Sequence, residues 1–438
     1  MISWNSRVRF LFLLLAVAPL ALHAQDTTQQ RGVRIGLTYQ AGTRPGVYVV
    51  PVRGDFGDSV RAMLQRDFDF SDRVEVVGRD GSGVADTVFA ASAGKINYTI
   101  WKSLGAAAIV QATVTASGLH VALHDVAAGS VMSVQDFPIA QLRGSGEWRF
   151  AVHGVADEVL RWISGTRGIA QSRVVYARGS ALHVADSDGG NDRTIASGGR
   201  MMSPAWHPSG RYVAYSTLGD RGWQIVVRDL QSGTSRALGA TPRGLNMTPA
   251  WSPDGNSIVY AHGEENGTDL YVADAFGSGA PRRVTVGRGT DNVSPTFRGD
   301  GQRLAFTSGR AGHPEIYTVD LDGSNAELLT PYNFGDESYR SNPDWSPDGR
   351  LIAYQSRIGG RFQVLALSVR DRSVRQLTNE GENEDPSWAP DNRHLVFASS
   401  RSGARELWVL DVETGRARQL THGGARLPAW SRVLDHAP

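Results

Sequence analysis

The sequence predicts a mainly β protein, a six-bladed β-propeller preceded by a small α/β domain. Three observations carry this. A seven-residue phrase recurs with a period in the forties, each period holds four short strand-like runs, and the two ends of the repeat region complete one another. The phrase first reads Pro204-Ala205-Trp206-His207-Pro208-Ser209-Gly210 and returns as Pro249-Ala250-Trp251-Ser252-Pro253-Asp254-Gly255. Later copies begin at Pro295, Pro343 and Pro386, and a truncated one, Pro428-Ala429-Trp430-Ser431, closes the series. Its aromatic residues are 45, 46, 48, 43 and 42 residues apart.

Within each period, the turn at the end of the phrase leads to a β-rich run such as Ser257-Ile258-Val259-Tyr260. A second run, Asp269 to Asp274 for example, ends at another Asp/Gly turn and leads to a short strand of the Arg-Arg-Val-Thr kind. Four strands per forty-odd residues fit one blade and exclude stacked helices. The runs at Arg173–Ala177, Ala181–Ala185 and Arg193–Ala196 read as a blade without its first strand, and Pro428 to Ser431 reads as a first strand without a blade. The C-terminus is therefore expected to close the ring and cover its exposed sheet edges.

Composition agrees with a secreted β protein. Fifty Gly and nineteen Pro supply turns, and 438 residues suffice for two domains. There is no cysteine, which removes disulfides, thiolate chemistry and N-terminal lipidation. Residues 1–24 read as a signal peptide: Arg7 and Arg9 precede an apolar stretch from Phe10 to Leu22, and Leu22-His23-Ala24 offers a cleavage site. Cleavage removes two positive charges, taking the formal charge from +1 to −1. Nucleic-acid binding, which needs a strongly basic surface, is not expected of a near-neutral chain.

Residues 25–166 form the expected α/β domain. Strands are expected at Val33–Leu37, Val47–Val52, 107–116, 119–126 and 131–137. Helices are expected from Asp58 through Phe68, around Tyr98–Leu104, and from Trp148 to Ile163, where Trp148, Val152, Val155, Val159 and Trp162 share a face. Ser164-Gly165-Thr166 links this domain to the propeller, residues 167–438.

This order of elements resembles the TolB family of periplasmic propellers in the Tol-Pal envelope system. The resemblance is carried by the six phrases and their closing strand, by Val33 to Gly42 running into Val49-Val50-Pro51-Val52, by Ile100-Trp101-Lys102-Ser103-Leu104-Gly105-Ala106, and by the exit Gly165 to Ala170. It implies a non-enzymatic periplasmic adaptor that binds the peptidoglycan-associated lipoprotein on its propeller. It also implies a TolA-like inner-membrane Tol protein that captures an N-terminal strand, here Gly32 to Gly42 with Val33, Arg34, Ile35, Leu37 and Tyr39. Thr38-Tyr39-Gln40 stands where the family favours acidic and small residues. The implied lipoprotein site lies in the loops before each phrase, with Asn246, Thr248, Asn292, Val293, Met202, Tyr339 and Glu384 as contacts. A monomer that reaches membranes only through its partners is expected.

The repeated Trp residues are expected to pack between blades, and Asp254, Asp300, Asp348 and Asp391 to cap turn amides. No Gly-x-Ser-x-Gly, His-Glu-x-x-His or phosphate-binding loop occurs. His120 and His124 sit four apart on a strand, a spacing that does not gather metal ligands. The acidic run Asp186 to Asp192 reads as a hairpin turn, since it lacks an EF-hand's distal Glu. No cofactor is expected, and no motif supports Ca2+ in the channel. The competing reading is a secreted propeller with a ligand or glycan site in that channel, of the lectin or hydrolase kind.

Overall fold

The computed structural model describes residues 43–434 except 80–82, 93, 221, 240–243, 278, 288–289 and 332–338. The strand expected at Val33–Leu37 lies outside the described residues. The N-terminal domain is a mixed five-stranded sheet in the order β2-β1-β3-β4-β5. Its strands are β1 (Gly46–Val49), β2 (Glu75–Val76), β3 (Ala106–Thr115), β4 (Gly118–Asp125) and β5 (Ser130–Pro138). Its helices are α1 (Gly57–Phe70), α2 (Val84–Ala91), α3 (Tyr98–Ser103) and α4 (Gly146–Ser164). β1 pairs in parallel with β2 and β3, and β3, β4 and β5 pair antiparallel.

Local chemistry explains the helix ends. Ser145 caps α4 by accepting the Trp148 N–H at 3.1 Å, and Gly165 ends it at φ 77°, a left-handed conformation that glycine adopts without a Cβ clash. α4 buries Trp148, Val152, Val155, Val159 and Trp162 as its apolar stripe predicts, but it also buries His153 and Asp157. Asp157 accepts the N–H groups of Ala170 and Gln171 at 2.8 and 2.9 Å. It thereby pins the connection to the propeller onto the helix. Burial pushes its carboxyl up to about 7 against those two bonds.

Six four-stranded antiparallel sheets follow. Blades I to V open with the strands Met201–Trp206, Leu245–Trp251, Asn292–Phe297, Arg340–Trp345 and Asn383–Trp388. Blade VI combines the C-terminal strand Arg426–Trp430 with Arg173–Arg178, Ala181–Asp186 and Arg193–Ala196. In this closing blade, Trp430 sits opposite Val174 and donates its indole N–H to Ser172 at 2.8 Å. Neighbouring blades share apolar clusters, such as Val259, Leu270, Phe297, Phe306 and Val319 between blades II and III. The repeated aromatics belong to these clusters, so the indoles pack between blades.

The segments expected as loops before each phrase are instead largely strand, because the inner strands begin before the Pro. Each inner strand is interrupted at the residue preceding Pro. Ser203, Thr248, Ser294, Asn342, Asp385 and Leu427 all have φ between 48° and 54°, and the pairing register shifts beside each. Proline cannot donate to a ladder, and a bulge with one left-handed residue absorbs that missing bond.

Candidate functional site

The ring has two ends of different character. At one end lie the turns after the first strands and the connections between third and fourth strands. There Asp254, Asp300, Asp348 and Asp391 accept the N–H two residues on, at 3.0 to 3.1 Å, as expected of turn caps. The N-terminal domain docks on this end, against blades V and VI. Arg73 reaches Asp391 at 3.3 Å, Arg416 reaches Asp72 at 2.9 Å, and Arg66 reaches Asp188 at 2.9 Å.

Two buried histidines anchor the docking. His153 of α4 approaches Asp67 of α1 at 2.7 Å, and its other nitrogen faces Asp186 and Asp188 of blade VI at 3.9 and 4.0 Å. His394 of blade V lies between Asp391 at 2.8 Å and Asp72 at 3.2 Å. Burial opposes the charge on His153, but Asp67 and Asp188 outweigh it and raise the imidazole to about 9. His394 is raised by its two carboxylates in the same way. Asp67, His153 and Asp188, and likewise Asp72, His394 and Asp411, have the side-chain types of cation ligands. At each cluster guanidinium groups already stand against the carboxylates: Arg66 and Arg149 at Asp188, Arg393 at Asp411, and Arg416 at Asp72. A cation would have to share those carboxylates with the positive charge already there, so both clusters read as ion-pair networks.

The opposite end of the ring carries the openings of the inner strands, and here the left-handed residues are linked from blade to blade. Thr248 Oγ accepts the Ser294 N–H at 3.1 Å, Ser294 Oγ donates to the Asn342 side chain at 3.0 Å, and the Asn342 amide donates to Asp385 at 2.6 Å. Leu427 N–H completes the arc on the Asp385 carboxylate. The bulges at Thr248, Ser294, Asn342 and Asp385 therefore each turn a side chain toward the next blade. Below this tier, Ala205, Ala250, Thr296, Asp344, Ser387 and Ala429 line a channel cavity of about 610 Å3 that opens toward the turn end. Asp344 accepts the Thr296 hydroxyl at 3.1 Å and the Trp388 N–H at 2.7 Å, and burial raises its carboxyl to about 6.

The expected lipoprotein contacts occupy the open end, with different exposures. Tyr339 is 43% exposed and meets the Phe362 ring edge-on at 5.4 Å, while Met202, Thr248 and Val293 are half-buried. Glu384 pairs with Arg405 at 2.5 Å, and burial raises its carboxyl against that pairing. Asn246 and Asn292 are only 2% and 0% exposed. Asn246 donates to Trp223 O at 3.0 Å and Asn292 to Thr268 O at 3.1 Å, so both side chains bind the preceding blade and turn away from solvent. They position the strand beside the exposed residues. Val33, Arg34, Ile35, Leu37 and Tyr39 lie outside the described residues. His120 and His124 do not converge: one meets Asp136 at 2.7 Å and the other Tyr98 at 2.9 Å.

Such an architecture defines a closed six-bladed propeller carrying an α/β domain on one end, with the other end uncovered among the described residues. The TolB beta propeller domain family matches residues 161–434, and the chain belongs to that family. The chain is 31% identical over 168 residues to the Tol-Pal system protein TolB of Histophilus somni (strain 129Pt), covering 34% of this chain and 38% of that one. It is 32% identical over 217 residues to the Tol-Pal system protein TolB of Methylococcus capsulatus (strain Bath), covering 46% and 49%. The matched stretch thus spans less than half of either relative. The crystal structure of TolB from Acinetobacter baumannii superposes with a TM-score of 0.74 at 24% identity, over 89% of this chain and 97% of that one. That likeness extends the shared fold to the N-terminal domain.

Proposed function

We propose that this protein is a non-enzymatic periplasmic adaptor of the Tol-Pal system, which binds the peptidoglycan-associated lipoprotein at the open end of its propeller. Its N-terminal segment is the strand captured by a TolA-like inner-membrane Tol protein, and the two contacts together maintain outer-membrane integrity during constriction. The observation that carries this reading is the difference between the two ends. The α/β domain occupies the turn end, whereas Tyr339, Val293, Met202 and Thr248 remain available at the other, where the side-chain arc links blades II to VI. The relatives' names supply the system.

Calorimetry with the soluble domain of the same cell's lipoprotein tests it. Binding weakened at least tenfold by Val293→Arg or Tyr339→Ala, with melting temperature unchanged, is the expected result. A change in affinity on removing residues 25–42 would couple the two contacts. No binding by the intact protein would overturn the adaptor reading. The alternative, a small ligand in the channel, is favoured by one observation, the raised Asp344 carboxyl in the cavity. It predicts glycan binding that Asp344→Asn abolishes.

A further inference from the structure

We infer that His153 and His394, as imidazolium ions, form a two-point latch that holds the α/β domain against blades V and VI, and that removing their charges opens this junction while the ring stays folded.

The geometry supports a charged form at both points. His394 has a carboxylate within 3.2 Å of each nitrogen, one from its own blade and one from the N-terminal domain, and only a doubly protonated ring donates to both. His153 is fully buried, donates to Asp67 across the α1–α4 contact, and turns its second nitrogen toward blade VI. His394 therefore joins carboxylates of the two bodies by hydrogen bonds, whereas His153 is hydrogen-bonded within the α/β domain and faces the blade VI carboxylates across 3.9 to 4.0 Å, a charge attraction without a hydrogen bond. A neutral His394 leaves one of its two contacts without a proton to share, a neutral His153 loses its attraction to Asp186 and Asp188, and a buried carboxylate that loses its partner is costly.

Every element around each ring contributes charge. His153 faces Asp67 from α1 and Asp186 and Asp188 from blade VI; Arg66 of α1 and Arg149 of its own helix pair with Asp188, Arg173 of blade VI pairs with Asp186, and Asp157 of its own helix is buried one turn on. His394 faces Asp69, Asp72 and Arg73 from the end of α1 and the turn after it. From blade V it faces Asp391, Arg393, Asp411, Arg416 and Arg418. These charges fix the direction of the pH response. Both histidines are raised in the fold, so their contribution is complete below about 6.5 and fades as pH climbs through the folded value, about 9 for His153. Asp391 and Asp188 are held well below the usual carboxylate range by their cationic neighbours, against the effect of burial. Asp411 falls to about 2. The latch is consequently shut at neutral pH and yields first on the alkaline side. Burial also opposes the charge on Arg418, which stands 3.8 Å from Asp72.

The cysteine-free chain permits a clean test. A donor and acceptor attached at Ser130→Cys in the N-terminal domain and Ser235→Cys on blade I report the distance between the bodies. Energy transfer should change between pH 7 and 10 with a midpoint near 9, while the near-ultraviolet dichroism of the ring holds. In the His153→Gln/His394→Gln variant the alkaline value should already appear at pH 7 and the midpoint should vanish. Flat transfer in the otherwise wild-type chain up to pH 10 would overturn the latch. So would a histidine variant that keeps both the wild-type distance at pH 7 and its midpoint. Should the double variant not fold, His394→Gln alone must lower the midpoint or shift the pH 7 distance, and the wild-type titration decides independently.

Discussion

The two ends of the ring solve the same problem, holding neighbouring elements in register, with a different balance of chemistry, although the open end too has an ion pair between blades, Arg340 with the buried Glu315 at 2.9 Å. At the turn end, carboxylates, guanidinium groups and imidazoles are buried between two domains. At the open end, neutral hydroxyls and amides, with one carboxylate, pass bonds from blade to blade through residues in a left-handed conformation. Buried ion pairs lose several kcal/mol when one partner is removed and respond to pH, whereas neutral bonds contribute about 1 kcal/mol each and do not titrate. The difference teaches that the open end can hold a fixed shape while leaving side chains such as Tyr339 to other work. The turn end is committed to the domain it carries.

The largest break in this comparison should come from the closing strand, on which both ends depend. Deleting residues 429–438 removes Trp430, which packs in the cluster of blades V and VI. It should abolish a cooperative thermal transition. The milder Trp430→Ala should cost about 3–5 kcal/mol in urea unfolding. A truncated chain with an unchanged melting temperature would show that the ring does not need its closure.

A smaller effect sharpens the role of charge inside the channel. Burial raises the Asp344 carboxyl from 3.8 to about 6 on folding, so folding disfavours its ionised form and stability should fall as pH rises from about 4 to 6. Partial exposure to the channel reduces the effect to about 1–2 kcal/mol. Asp344→Asn should therefore melt higher than wild type at pH 8 and equal to it at pH 4. A gain of equal size at both pH values would show that the carboxylate's charge is not the cause.

The smallest effect belongs to the repeated turns. Asp348 accepts the Arg350 N–H at 3.0 Å and the Ser346 hydroxyl at 2.7 Å, and Asp348→Ala should cost about 1 kcal/mol in urea unfolding. A larger loss would mean that these turns carry more than their own amides.

The propeller was legible because its signals are local and repeated. Proline, aromatic and turn residues return at a fixed spacing, and the ends of the series complement one another. In the N-terminal domain, α2 escaped notice: it has eight residues, and Gly83 at its start provides no side-chain cap. The domain junction was also hidden, since Asp72 and His394 are 322 residues apart and nothing in either neighbourhood announces the other. The one sequence hint was His153 and Asp157, polar residues four apart beside the apolar stripe of α4, which are both buried. Asp186 and Asp188 read as an ordinary hairpin turn, because only the docked helix reveals why two carboxylate side chains are buried there. Asn246 and Asn292 misled in the other direction: polar residues next to a Pro phrase suggest a solvated surface, yet their amides serve the adjoining blade.

The closing strand also sets an order of events during synthesis. Val174 emerges before any other blade is made, and its partner Trp430 follows the last of them. Until then the strand Arg173–Arg178 presents an unpaired inner edge, and the blade it belongs to waits with three of its four strands. Until the last strand is made, this edge is the point where a neighbouring unfinished copy would first find something to pair with.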